Sequence, residues 1–510
     1  MEFQVNNSTA TLSCGSPKLM MPASALVGPT LWLGTALLYG FAVLAGGLTA
    51  GTIVLSTAIA AVALARPHTG LWMGVAFMVY ACVFYIRWTP AATVEEMGYI
   101  GTAVGLAIIT MGLGIAWLRS GPRRLAIRKS AAVRRFDKAM NAMLAAFLIA
   151  TVYGMTRGNG WSAVTRQLFG CLLLPGYYLF ARTFFRSTED IHRWVKRASV
   201  VVTAGAVWYV AKLTFLSFSE GSYIRVQSPL AFFTGAIGAL LFAEFLWERR
   251  RGTRIIIGIS LFFCIFSILM IGARFVVSSL VGSAIIILIL RRQKHRLLTG
   301  LATLALFALG VGFVVANLGG VIERGGLVGG IGARFSPLNV DEDLSIVGRM
   351  AQMESILDIV RQHPVLGAGM GAEYSFYDPE SIDVLVTTPY VDNGWGFILL
   401  KMGVAGLLVF VAMLGAFLRF AARDWSSDAP AQLQRVRACL LALLLFGLLS
   451  FTGGPTFFHF TQAGFMGTGL GALAALAELA GPMPFLLKGR SLRFCAIANE
   501  QGKPLAGKCG

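Results

Sequence analysis

Charge is what this sequence is short of. Asp, Glu, Lys and Arg make up 13% of its 510 residues, against about 25% in a typical soluble domain. Acids are the scarcer sign, 24 against 43 Lys and Arg, while hydrophobic residues reach 56%. Length alone would suggest several soluble domains, but so little charge argues for one membrane domain instead. The formal charge of +19 does not read as a nucleic-acid footprint. The basic residues fall in short clusters between apolar runs, as cytoplasm-facing anchors do.

Cysteine is also sparse where it would matter. Cys82, Cys171, Cys264 and Cys439 sit inside apolar runs, Cys14, Cys495 and Cys509 lie near the termini, and none lies in the long polar stretch. With no CxxC pair and no Cys/His spacing, neither a disulfide framework nor a zinc site is expected. The first twenty residues lack a basic segment leading directly into an apolar core, so no cleavable signal peptide is expected. No solenoid-type repeat is present.

What the chain does have is apolar runs long enough for membrane helices, which need roughly 20 residues each. Fourteen candidate spans fall near 27–46, 50–65, 70–86, 98–118, 139–156, 165–183, 198–216, 229–247, 255–272, 275–290, 297–316, 393–418, 438–452 and 456–478. The first and last pairs could each form a re-entrant or kinked unit, which would leave twelve. The expected class is an all-α polytopic membrane protein of about 12–14 helices. Basic clusters at 119–138, 182–197, 249–254, 291–296 and 419–437 all fall on one face of that arrangement. The positive-inside rule makes this face cytoplasmic, together with both termini.

The opposite face receives short loops near 87–97, 157–164, 217–228 and 272–275, and the long stretch 317–391. That stretch carries ten acids and four basic residues. Loops of such length are usually functional or disordered. Here Gly319 to Gly332 reads as a flexible linker. From Val347, the residues Met350, Met353, Ile356, Leu357 and Val360 keep helical spacing until Pro364 ends the run. The expected division is therefore 1–316 for the N-terminal helices, 317–391 for the loop, 392–482 for the C-terminal helices and 483–510 for a cytoplasmic tail.

On this topology the unusual residues are charges at the outer ends of spans. Arg225, in Ser-Tyr-Ile-Arg-Val-Gln-Ser-Pro, and Arg274, in Ile-Gly-Ala-Arg-Phe, both lie on the face opposite the basic clusters. A guanidinium near the membrane is costly and usually has a partner. Its planar fork suits phosphate, although snorkelling, or an ion pair with an acid such as Glu220, explains it equally well. The segment Tyr390-Val-Asp392-Asn393-Gly-Trp places a carboxylate where the loop meets a span. Asp392 could act as a general base, while Asp-Asn-Gly is also ordinary capping chemistry. Arg349 and the run from Arg361 through His363 to Gly371 complete the set. Its GxGxG follows no strand, so a Rossmann reading is unsupported. His459 is a further, weaker candidate base.

The order of these elements, from Tyr223 to Leu408, resembles the O-antigen ligase and Wzy-type polysaccharide polymerase superfamily. An Arg before a span (Arg225) is followed by a small-residue-Arg turn (Gly272-Ala-Arg274). A large loop follows, with Gly348-Arg349 and Pro364-Val-Leu-Gly-Ala-Gly. Asp392-Asn393 then enters a span that contains Lys401-Met-Gly-Val-Ala-Gly-Leu-Leu. The resemblance implies a GT-C-like fold in the bacterial inner membrane, with the large loop in the periplasm. It implies a metal-independent, cofactor-free glycosyl transfer. Arg225 and Arg274 would hold the pyrophosphate of an undecaprenyl-pyrophosphate-linked donor. Asp392 would activate an acceptor hydroxyl, with Arg349, Arg361, Asn393 and Tyr390 in support. Expected partners are the lipid-linked glycan donor, a glycan or lipid-glycan acceptor, membrane lipids and a polysaccharide co-polymerase, but no nucleic acid.

One departure bears on the activity. Asp392 stands where the ligases carry His, and a free Asp has a pKa near 3.9 against about 6.5 for His. Burial beside the loop would raise the Asp value. This leans the expectation toward a polymerase of repeat units, with transfer of finished glycan to lipid A-core as the ligase alternative. A lipid-linked oligosaccharide flippase is the remaining reading. It would call for charges near mid-membrane and commonly for repeat symmetry, and neither is visible in the sequence.

Overall fold

The computed structural model describes residues 50–84, 92–120, 131–220, 230–271, 274–290, 344–378, 384–423 and 431–479. Two of the fourteen candidate spans (27–46 and 297–316), Arg225 and the Gly319 to Gly332 stretch lie outside these residues. Within them the chain is helical throughout except for one small hairpin. The helices are α1 (Ala50–Ala65), α2 (Pro67–Phe84), α3 (Ala92–Ser120), α4 (Ala131–Thr156), α5 (Trp161–Phe184), α6 (Thr188–Glu220) and α7 (Leu230–Trp247). They continue with α8 (Arg251–Ile271), α9 (Arg274–Leu290), α10 (Leu344–Gln362), α11 (Gly394–Arg423), α12 (Ala431–Ser450) and α13 (Phe460–Leu479). Seven of these helices are long and apolar enough to cross a membrane. The protein is an all-α polytopic membrane protein.

The helices show the two apolar faces that a bilayer demands. On α4, Val133, Phe136, Met140, Met143, Phe147, Ala150 and Gly154 recur every three or four positions and point into the protein. Leu148, Ile149, Val152 and Met155 on the other side are exposed. In water such a patch would be a liability, whereas against lipid tails it is the ordinary surface of a spanning helix. Where helices must approach closely, the side chain is reduced to hydrogen. A methyl on Gly467 or Gly471 of α13 would collide with the Leu174 or Tyr178 carbonyl of α5, as in small-residue packing of membrane helices.

The charged side chains gather at the end of the bundle where the basic clusters lie. Arg182, at the end of α5, pairs with Asp137 of α4 at 2.5 Å and with Glu478 of α13. Arg435, in the first turns of α12, pairs with Glu244 and Glu248 at the end of α7, at 2.8 and 2.7 Å. These partly buried groups have partners, which is what makes a charge tolerable beside hydrocarbon.

The opposite end carries the large loop. Its helix, α10, runs Leu344–Gln362 and stops just before Pro364, as the spacing predicts. Beyond it lies an element the helical reading did not anticipate, an antiparallel hairpin of β1 (Tyr374–Asp378) and β2 (Val384–Thr388). The signal was present in the sequence. Tyr374 and Phe376 alternate inward with Ser375 and Tyr377 outward, and β2 is rich in β-branched residues.

Candidate functional site

Between α10 and the hairpin, residues 367–372 tuck between α4 and α11 instead of projecting into water. Gly367, Gly369 and Gly371 adopt φ of 67, 85 and 78°, left-handed values that suit glycine. A methyl on Gly369 would strike the backbone of Gly154 in α4, and one on Gly367 would strike Leu400 and Gly403 of α11. Five amides of this segment have protein acceptors. Gly367 N–H donates to the His363 carbonyl at 2.9 Å, Ala368 N–H to that of Leu400 at 2.7 Å, and Met370 N–H to that of Ala150 at 2.9 Å. Ala372 N–H donates to the Gly369 carbonyl at 3.3 Å, and Gly371 N–H to Gln167 Oε1 at 2.8 Å. Amides committed in this way cannot cradle a phosphate. The GxGxG element is a device for close backbone packing.

The hairpin is held at its base from two helices. Gln167 of α5 accepts from Gly371 N–H and donates to the Pro389 carbonyl at 2.7 Å. Lys401 of α11 is fully buried, and its ammonium donates to the Ala372 carbonyl and, at 3.0 Å, to that of Pro389. Residues 372 and 389 flank the strands, so the two side chains close the hairpin across its neck. The first ten residues of α11 are accordingly covered. From Val404 onward the helix exposes Val404, Leu408, Val411 and Leu418 at helical spacing. The change falls at Gly403, whose φ of 60° interrupts the helix.

Asp392 stands directly before α11. It is exposed, so burial does not act on it, and Gln352 of α10 donates to its carboxylate at 3.2 Å. Its charge reaches Tyr374, whose phenol is pushed up first by burial and then by Asp392. That phenol donates to the Tyr390 carbonyl at 2.7 Å. Asn393 caps α11, its Oδ1 accepting from Trp395 N–H at 2.8 Å and from Gly396 N–H at 3.4 Å. Tyr390 is exposed, and its phenol accepts from Arg166 of α5.

Arg274 is half-buried and is the first residue of α9, where the open amides and positive end of a helix favour an anion. A short turn between α12 and α13 touches the residue after it and the backbone of Asp392. The ring of Phe275, the next residue, packs on Gly453, while the Asp392 carbonyl lies against Gly454. Gly394 N–H also donates to the Phe451 carbonyl at 2.9 Å. The residue after Arg274 and the backbone of Asp392, far apart in sequence, thus pack on one turn.

The supporting residues do not all join this group. Arg361 is exposed and pairs with Asp358 at 2.6 Å, an exposed i,i+3 pair of the kind that contributes little. Arg349 is exposed on α10. His459 Nδ1 lies 2.8 Å from Thr461 Oγ1. Four side chains now seen around the loop were not singled out in the sequence, namely Gln167, Gln352, Lys401 and Arg166. Only Arg166 carried a readable signal, as a basic residue on the face opposite the basic clusters, the criterion that selected Arg225 and Arg274.

Fold and site together define a multi-pass membrane protein with an extramembrane loop clamped onto the ends of its helices. Residues 259–411 match the family model described as O-Antigen ligase. This part of the chain is thus similar to the O-antigen ligase family, and the match supports the O-antigen ligase and Wzy-type superfamily. The match covers under a third of the chain, from within α8 into α11. It includes Arg274, Arg349, Arg361, Tyr390, Asp392 and Asn393 but not Arg225. No curated protein matches the chain.

Proposed function

We propose that this protein polymerises oligosaccharide repeat units carried on undecaprenyl pyrophosphate, at the periplasmic face, with inversion at the anomeric carbon. The reading rests chiefly on the packing of Phe275, next to Arg274, and of the backbone at Asp392 and Gly394 on the 451–459 turn. An acceptor hydroxyl oxygen attacks the anomeric carbon of the donor and its proton passes to Asp392. The bond to pyrophosphate breaks, and the electron pair leaves on the lipid pyrophosphate. Arg274, with Arg225, stabilises that developing charge. Asp392 is exposed and held by Gln352, which suits a group that must meet an acceptor arriving from water.

Transfer of a finished glycan to lipid A-core would use the same donor geometry, and the description of the matching family favours it. Product size separates the two. Purified protein incubated with lipid-linked repeat units should yield long chains on the same lipid. Whole glycan on a second lipid would make it a ligase, and no glycan transfer by folded protein would remove both readings. Asp392→Ala should slow transfer by about 10²–10⁴-fold, and Arg274→Ala by about 10²-fold or more. Full activity of both variants would overturn the assigned roles.

A further inference from the structure

The turn between α4 and α5 holds two guanidinium groups that the transfer reading leaves unused. α4 ends in a Schellman motif, with Asn159 N–H donating to the Gly154 carbonyl at 3.1 Å and Gly158 N–H to that of Met155 at 3.0 Å. Gly158 takes φ 79°. This places Arg157 at the helix end, where its guanidinium donates to the Tyr153 phenol and to His363 Nε2, both at 3.0 Å. A guanidinium only donates, so Nε2 is the acceptor in this contact. Arg166 lies in the second turn of α5, reaches the Tyr390 phenol and stands over that ring at 5.7 Å.

Charge accounting makes these two residues unusual. Among the described residues, no carboxylate pairs with Arg157 or Arg166. Arg182 and Arg435, at the other end of the bundle, are each met by two. Of the described loop acids, Asp358 pairs with Arg361, Asp392 accepts from Gln352, and Glu373 acts electrostatically on Lys401. The carbonyls closing α4 favour a cation at Arg157, but the start of α5 has the opposite field. Its first turn has no acid and its N-cap, Gly160, offers no side chain. Arg166, in the next turn, therefore has no acid before it on α5.

We infer that Arg166 and Arg157 form a second site for a lipid-borne phosphate group, distinct from the one at Arg274. The exposed apolar face of α4 leads up to this turn through Val152 and Met155, and Trp161 stands two-thirds exposed beside it. A lipid tail would lie along that face with its head group at the arginines, and an exposed Trp suits the same interface. Arg166 touches Tyr390, two residues before Asp392, so the two cationic sites reach Asp392 from different helices. Joining two lipid-linked substrates requires two head-group sites. Assigning this one to the acceptor rests on the transfer reading above, whereas its existence rests on the charges.

Binding tests the site without any transfer. The full chain in phosphatidylcholine nanodiscs, titrated with radiolabelled farnesyl pyrophosphate, should take up two equivalents. The double variant Arg157→Gln with Arg166→Gln should keep one, and Arg274→Gln should keep the other. Arg166→Lys, which retains charge but loses the fork, should weaken the second equivalent by about tenfold. Both arginines are exposed, and gel-filtration elution checks that the variants remain folded. If added phosphatidylglycerol displaces the second equivalent, the ligand is a phospholipid head group; if it does not, it is the pyrophosphate lipid. A double variant that binds like the wild type would overturn the site. Two equivalents without glycan transfer would remove the transfer reading and leave the site. Unchanged transfer kinetics with the double variant's second equivalent intact would do the reverse.

Discussion

Lys401 shows how one side chain can decide where a loop sits. An ammonium buried among helices is expensive unless its protons are satisfied, and two of them are, by carbonyls at either side of the hairpin neck. Lys401→Met keeps the length of the side chain and removes both bonds. Pro389 retains Gln167 as a donor, but the Ala372 carbonyl loses the ammonium. The expected loss is about 1–3 kcal/mol, visible as a lower melting temperature in detergent and as faster proteolysis within residues 373–389. Unchanged protease resistance would mean the clamp is redundant with Gln167. Sequence inspection found Lys401 only as part of a family pattern, because a lysine inside an apolar run does not announce which carbonyls it will meet. Asn393 is the opposite case. Its place before a helical run marked it as a cap, and the cap is what forms.

At the scale of elements, the glycine-rich segment is held by backbone contacts that leave no room for side chains. Gly369→Ala would put a methyl against Gly154 and force a left-handed φ on a residue that resists it. The conformational part alone is about 1–2 kcal/mol, and the overlap adds to it. Gly415, on the exposed side of α11, has nothing within 4 Å of an added methyl, so Gly415→Ala should be neutral or stabilise by about 0.5–1 kcal/mol. Thermal unfolding of the two variants side by side checks this. Equal melting temperatures would mean the segment is free to move off α4. The spacing of the three glycines was plain in the sequence, but its meaning was not. GxGxG is compatible with phosphate binding until the acceptors of its amides are known.

At the scale of the whole molecule, the two ends of the bundle differ in how they treat charge. One end pairs it, through Arg182 with Asp137 and Glu478 and through Arg435 with Glu244 and Glu248. The other presents Asp392, Arg157 and Arg166 to the surroundings. We propose, from the distribution of charge around the spans, that the first end faces the cytoplasm. Thiol labelling can check this, because Cys82, Cys171, Cys264 and Cys439 are buried. With Cys14, Cys495 and Cys509 replaced, a cysteine at Tyr377 should react with a membrane-impermeant maleimide in intact spheroplasts. One at Arg193 should react only after permeabilisation. The reverse pattern would invert the topology and with it the periplasmic reading of the loop.

Helix positions, the pattern of basic clusters and the end of α10 before Pro364 were all readable along the chain. Each depends on a local property, namely the apolar length a bilayer requires, the charge between spans, or the missing N–H of proline. The tertiary structure decided which backbone groups pair across distant segments. It made the glycines a packing seam and the hairpin a clamped flap, and it brought Asp392 and the Arg274 segment to one turn. Among the described residues, it left Arg157 and Arg166 without the carboxylates given to Arg182 and Arg435. Such pairings depend on distances between residues hundreds of positions apart, which hydropathy and spacing do not encode.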